Sequence, residues 1–405
     1  MLYTAQEVLD YVKEEDIKFI RLAFCDVFGK QKNISIPPSE LSKAFRSGIS
    51  FDASAIAGFG DESRSDLFLF PDPTTLSILP WRPSHGRVVR MFCDIKYPDG
   101  RAFELDGRAL LKKAVSEAAS KGINCYFGPE YEFYLFKTDE YGVPTNIPID
   151  NAGYMDIAPE DAGENVRREI CITLEEMGII PEASHHEEGP GQNEIDFRYG
   201  DALSAADNSI TFQMVVKTIA ARNGLYACFD PKPLANMSGS GMHINISPHL
   251  PDGGDCFYQF MAGILEHISD ITLFLNPTAQ SYLRLGSNKA PQYISWSPQN
   301  RSQLIRIPAA GSEHSRIELR SPDAGANPYI GYTLLILAGL DGVERSLTPP
   351  PSADFNLFTA AEQELSAFKK LPDSISEAAE AAKNSSFVKA NLPSRFIDEY
   401  VSSRR

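Results

Sequence analysis

What is missing from this 405-residue sequence narrows its chemistry first. No C-x-x-C pair occurs: Cys25, Cys93, Cys125, Cys171, Cys228 and Cys256 are scattered, a pattern that suits buried thiols in a reducing cytoplasm. No apolar run reaches transmembrane length, and no secretory leader or internal repeat is recognisable. A cytoplasmic location is therefore expected. Positive charge is in deficit, with 38 Lys and Arg against 54 Asp and Glu, or −16 net. That balance argues against nucleic-acid or membrane-surface partners. Glycine-rich phosphate cradles are missing too: there is no P-loop, kinase glycine loop or G-x-G-x-x-G turn. Any nucleotide must bind in another way.

What is present is a set of polar strand faces. Residues 126–136 are aromatic and β-rich, so they read as a strand. Positions two apart share a face, which puts Glu130 and Glu132 together and sends Tyr131, Phe133 and Leu135 the other way. Two adjacent inward carboxylates repel each other unless a cation lies between them. Farther on, Gly189-Pro190-Gly191 reads as a turn that returns Glu187 and Glu194 to one place. Alternation over 242–247 puts His243, Asn245 and Ser247 on one face and Met242, Ile244 and Ile246 in the core. Arg316, Glu318 and Arg320 repeat the pattern. One such strand is an ordinary half-buried strand; four of them, with five glutamates and one imidazole, favour a site for Mg²⁺ or Mn²⁺ over structural zinc.

Arginines supply the rest. Arg284, Arg301, Arg306, Arg316 and Arg320 fall in a stretch otherwise rich in Pro, Gly and Ser. Guanidinium groups capture carboxylates and phosphates bidentately. Divalent cations with an arginine cluster describe a phosphoryl-transfer centre.

Phe-Gly-Pro-Glu130-Tyr-Glu132-Phe, Ser-His-His-Glu187 with Gly-Gln-Asn-Glu194, Gly-Ser-Gly-Met-His243, Asn-Arg301-Ser with Ile-Arg306-Ile-Pro, and Arg316-Ile-Glu318-Leu-Arg320-Ser-Pro-Asp together resemble the bacterial type I glutamine synthetases. The resemblance implies an α+β protein: a small N-terminal β-grasp domain, residues 1–100, and a larger catalytic domain, residues 101–405, with a curved antiparallel sheet flanked by helices. It implies one metal on Glu132, Glu187 and Glu194, and a second on Glu130, His243 and Glu318. Arg284, Arg320, Gly239 and Ser238 would hold the substrate glutamate. Arg301 would stabilise the transferring phosphoryl group, and Glu182, Tyr199, Ser247, Arg306 and Arg316 would surround ATP. Asp52, in Phe51-Asp52-Ala53-Ser54-Ala55-Ile56, resembles the aspartate that reaches a neighbouring subunit's ammonium site. The implied assembly is a homo-oligomeric ring, a hexamer or dodecamer, with shared active sites.

The sequence departs from the family at the flap after Arg284, where Lys289 stands in place of a glutamate before Ala290-Pro291. Charge reversal there is large, since a unit pair at ~4 Å is worth roughly 4 kcal/mol at an effective dielectric of ~20. Ser238 and Asp230 are smaller departures, from asparagine and methionine. Three readings follow: a glutamine synthetase using ammonia, a γ-glutamyl ligase using another amine, or a non-catalytic regulatory paralogue.

Length implies two domains, with Pro98-Asp99-Gly100 as the joint. Helical spacing predicts helices over 4–13, 107–119 entered through Asp106 as N-cap, 161–177, 205–223 and 255–274. Residues 359–400 alternate helical stretches with polar breaks. This tail is short for the family's ring-to-ring strap, and no adenylylation loop is recognisable.

Overall fold

The computed structural model describes residues 3–60, 63, 65–82, 85–250, 254–287, 289–309 and 315–403. Residues Phe19–Cys25 and Val88–Lys96 pair in parallel at the centre of a six-stranded N-terminal sheet. Gln31–Ile36 flanks one side, and Asp66–Pro71 then Ile49–Asp52 the other, while Ser77–Ile78 adds a short rung. Period-two patterning drives this: Leu67 and Leu69 are buried, while Asp66 is exposed and Phe68 and Phe70 are half-buried. The helix Ala5–Glu14 starts at Thr4, whose hydroxyl and the Glu7 carboxylate form a capping box.

The second sheet has ten strands, running Trp296–Pro298, Ile305–Ile307, Ile317–Leu319, Met242–His249, Asn124–Thr138, Gln192–Phe197 and Pro181–His186. Pro144–Pro148, Gly200–Asp201 and Leu225–Cys228 also pair with the long strand Asn124–Thr138. All pairings are antiparallel except Trp296–Pro298 with Ile305–Ile307, which is parallel. The sheet is therefore mixed at this edge, where a wholly antiparallel one was expected. A three-residue strand carries too little pattern to declare its direction.

One face of this sheet is apolar. Phe127, Tyr131, Phe133 and Leu135 are fully buried with Ile195, Ile244, Ile246, Ile317 and Leu319. They pack under the helices Ala202–Arg222, Phe257–Leu275 and Pro328–Glu344, with Phe127 stacked on Tyr332 at 4.3 Å and Tyr131 on Phe212 at 5.1 Å. Helices Gly107–Ser120, Glu164–Glu176, Ala202–Arg222 and Phe257–Leu275 fall within three residues of the spans predicted from spacing. Asp106 caps the first of them through Arg108 N. Pro328–Glu344 was not anticipated. Its crossing with Phe257–Leu275 is backbone-close, since a Cβ on Gly342 would lie 2.1 Å from the Gln259 carbonyl oxygen.

The two sheets share one continuous apolar cluster from Val8 to Tyr400. An ionic knot also ties the N-terminal sheet to the helices Gly107–Ser120 and Ala202–Arg222. Arg108 donates to both Asp207 oxygens (3.0 and 2.9 Å), to Asp94 at 3.1 Å and to Asp72 at 2.9 Å. Removing one member of a buried network leaves uncompensated charge. Arg108→Ala is expected to lower stability by about 3 kcal/mol, the lower end of the usual range because Lys112 still pairs with Asp94. Chemical denaturation midpoints of the two proteins check this.

The C-terminal helices Ile375–Asn384, Ser386–Asn391 and Ser394–Ser403 fold back onto the body. Phe387 stacks on His267 at 4.0 Å, Ser385 donates to Asp270, and Tyr400 meets Phe28 and Phe274.

Candidate active site

The polar face of the ten-stranded sheet forms the wall of a funnel. Antiparallel register sets Glu194 opposite Glu132, and both Asp196 and His243 opposite Glu130. One strand out, His185 faces Glu194; on the other side Glu318 faces Asn245, and Arg306 faces Glu318. The result is a belt of carboxylates and imidazoles lining a cavity of about 440 Å³.

Glu130, His243 and Glu318 converge as one group, with His243 Nδ1 3.5 Å from Glu130 Oε2 and 3.9 Å from Glu318 Oε1. The implied trio of Glu132, Glu187 and Glu194 does not close as a single group. Glu194 instead gathers with Glu132 and His243 on one side and with His185 and Glu187 on the other. His185 stands between the two acids, Nε2 3.3 Å from Glu194 and Nδ1 3.7 Å from Glu187. Asp196 joins Glu130 and Glu194 in a further group. Sequence reasoning missed His185 and Asp196, although Asp196 lies two positions after Glu194 and shares its face by the same period-two rule.

This crowding is electrostatically costly without a cation. Burial, then the charges of Glu132 and Glu187, push Glu194 well above the carboxylate range. Burial and Glu132 bring Glu187 up to about 7, and burial and Glu194 bring Asp196 up to about 9. Glu130 goes the other way: burial works to raise it, but His243 outweighs that and pulls it to about 2. Mutually repelling oxygen donors with an imidazole fit hard divalent cations.

Hydrogen bonds fix the donors. Glu132 Oε2 accepts from Gly241 N at 2.7 Å, and Glu130 Oε1 from Asn245 Nδ2 at 2.8 Å. Arg316 Nε donates to Asn245 Oδ1 at 3.0 Å. Fully buried Glu318 is paired on one oxygen with Arg306 and on the other with Arg320 at 2.5 Å.

Arg284, at the end of the helix Ala279–Arg284, is buried and donates to the Ser321 and Arg320 carbonyls at 2.7 and 3.2 Å. Arg301 is exposed on the funnel wall with no carboxylate partner among the described residues. The Gly239 carbonyl accepts from Gln192 Nε2 at 3.1 Å. Gly239 and Gly241 are required by close approach: a Cβ on Gly241 would lie 2.5 Å from Arg284 Nη2 and 3.0 Å from His243 Nε2. Gly241→Ala must displace one or both, and a misplacement of this order costs ~10²-fold. A fall of that size in kcat/KM, with the fold intact by circular dichroism, is the expected result.

A second cleft of about 1050 Å³ opens beside the funnel and shares Glu130, Asp196 and Arg316 with it. Glu182, Tyr199 and Ser247 line it with Tyr126, Phe257 and Tyr258. Gly128 gives it depth, since a Cβ there would lie 3.1 Å from Tyr199 Cβ.

At the mouth, Lys289 pairs with Glu188, which also accepts from Ser238 Oγ at 3.3 Å. Asp52 is not part of the funnel lining. It sits exposed at the end of the edge strand Ile49–Asp52, accepting from Ser54 N (2.9 Å) and Oγ (2.7 Å), which hold its carboxyl below the usual range.

Hard-cation donors beside a guanidinium cluster, with a nucleoside-sized cleft opening into them, are the equipment of a metal-dependent phosphoryl-transfer enzyme. Comparison with known proteins narrows the class. Residues 16–98 match the glutamine synthetase β-grasp domain and residues 104–405 the glutamine synthetase catalytic domain. A glutamine synthetase of Methanosarcina mazei is 45% identical, covering 99% of this chain and 93% of its own. One from Clostridium saccharobutylicum is 44% identical over 99% and 94%. Among solved structures, GmaS in complex with ADP superposes with a TM-score of 0.88 at 30% identity, covering 98% of this chain and 94% of its own. The chain belongs to the glutamine synthetase family.

Proposed function

We propose that this chain is an ATP-dependent ligase that joins the γ-carboxyl group of glutamate to ammonia through γ-glutamyl phosphate. The observation that carries the reading is the funnel itself: overlapping clusters of hard-cation donors and five arginines at the neck of a nucleoside-sized cleft. Metal ligands retained in full argue against a non-catalytic paralogue. GmaS, solved with ADP, supports nucleotide use by this fold.

A carboxylate is a poor electrophile, so a γ-carboxylate oxygen first displaces ADP from the γ-phosphorus. The amine then attacks the acyl carbon and phosphate leaves. Glu130, His243 and Glu318, and Glu194 with its acidic neighbours, would hold Mg²⁺ or Mn²⁺, which would supply positive charge against the phosphoryl oxygens. The chain's own groups do the rest. Arg284 and Arg320 clamp the substrate carboxylates beside the Gly239 carbonyl. Arg301 meets the charge gathering on the transferring phosphoryl group. Glu182, Tyr199 and Ser247 hold the nucleoside, and Arg306 and Arg316 its phosphates. Asp52 lies outside its own funnel, so its part in binding ammonium requires a neighbouring subunit, in a hexameric or dodecameric ring. A cytoplasmic setting suits ATP and glutamate as substrates, and among the described residues no helix is long and apolar enough to cross a membrane.

Lys289 at the mouth supports a second reading, an acceptor amine other than ammonia. Phosphate release and amide formation with ATP, glutamate, Mg²⁺ and either ammonium or a panel of amines separate the two. Turnover with ammonium supports the synthetase; turnover only with another amine replaces it; silence across the panel overturns both.

A further inference from the structure

We propose that Lys289 and Glu188 form a charge latch that closes the amine-acceptor end of the funnel; this rests on the ligase reading above. Glu188 follows Glu187 in the Gly-Pro-Gly turn, and its amide donates to Glu187 Oε2 at 3.0 Å. One Glu188 oxygen takes the Lys289 ammonium and the other takes Ser238 Oγ at 3.3 Å. Three chain segments thus meet at one carboxylate, and each also carries a residue of the funnel: Glu187, Gly239 and Arg284. Lys289 adopts φ +66°, which turns the chain sharply after the helix that ends at Arg284.

The pair changes the meaning of the lysine. Standing alone, Lys289 would repel a cationic acceptor. Paired with Glu188 its charge is cancelled in place, so the acceptor meets a neutral latch next to the acidic belt. The side chains are 61% and 35% exposed, which places the latch on the rim, where solvent lets it open and reclose. Opening admits the amine; closure keeps water from the acyl phosphate. Lys289 and Glu188 are positioning residues and touch no reacting atom.

The test is the ratio of phosphate released to amide formed, with KM measured for each substrate. Glu188→Ala and Lys289→Ala are expected to raise this ratio, and the amine KM, by about two- to fivefold, the scale of a rim ion pair. KM for glutamate and ATP should hold. Lys289→Arg should keep the wild-type ratio, and the reversed pair Glu188→Lys with Lys289→Glu should return most of the coupling that either single reversal loses. Unchanged ratios in the alanine variants, or a reversed pair no better coupled than its single changes, would overturn the latch alone. A wild-type protein that makes no amide from any acceptor would instead overturn the ligase reading beneath it.

Discussion

Replacing Arg301 with alanine is expected to lower kcat by ~10³-fold while leaving KM for ATP and glutamate within a few-fold of wild type. The asymmetry follows from where the guanidinium stands. Arg306 and Arg320 are both engaged with Glu318, and Arg284 is tied to two backbone carbonyls, so each already has structural employment in the resting protein. Arg301 lines the same cavity with no carboxylate partner among the described residues. A group free in the ground state that meets charge only as the phosphoryl group moves contributes to the transition state and not to binding. Lysine should recover only part of the loss, because a point charge cannot span two phosphoryl oxygens as a planar fork does. Single-turnover ADP formation, measured apart from amide release, checks the assignment. An equal fall in Arg301→Ala affinity for glutamate, with phosphoryl transfer unimpaired, would move this residue to the substrate clamp.

Much of this arrangement is legible in the residues because the site is built on strands. A strand needs only alternation to declare its faces, so Glu130 with Glu132, and Arg316 with Glu318 and Arg320, can be placed before any partner strand is known. Which carboxylates converge is a matter of register, and that is where sequence reasoning failed. Hydrogen-bond pairing puts His185 opposite Glu194 and Asp196 opposite Glu130, so the acidic belt is wider than the six family ligands. The helix Pro328–Glu344 escaped for the opposite reason. It is buried almost all round, so it has no polar stripe, and periodicity has nothing to report. Glu188 carries no signal in the sequence, because its partner lies 101 residues away on the flap.

Glu194→Gln should separate stability from activity, with opposite signs. Glu194 is buried among Glu132, Glu187, Glu130 and Asp196, so in the metal-free protein it must either repel them as a carboxylate or take up a proton to escape that repulsion, and both destabilise the fold. An amide of nearly the same shape removes that repulsion, and the metal-free variant is expected to melt at a higher temperature than the metal-free wild type. Cations reverse the order. A ligand that binds only the folded state stabilises it by RT ln(1 + [L]/Kd), about 2.7 kcal/mol at 100 times Kd. Loss of a direct ligand should weaken the site by at least the ~10–100-fold typical of outer-shell partners. At the same Mg²⁺ concentration, a variant 100-fold weaker sits at its own Kd and gains only about 0.4 kcal/mol. Thermal denaturation across a Mg²⁺ or Mn²⁺ titration should therefore show the two curves crossing, with ligase activity lost in the variant throughout. A variant that is less stable without metal yet keeps the full metal-dependent rise would show that Glu194 is a structural carboxylate, and would leave Glu130, His243 and Glu318 as the cation seat that the structure supports.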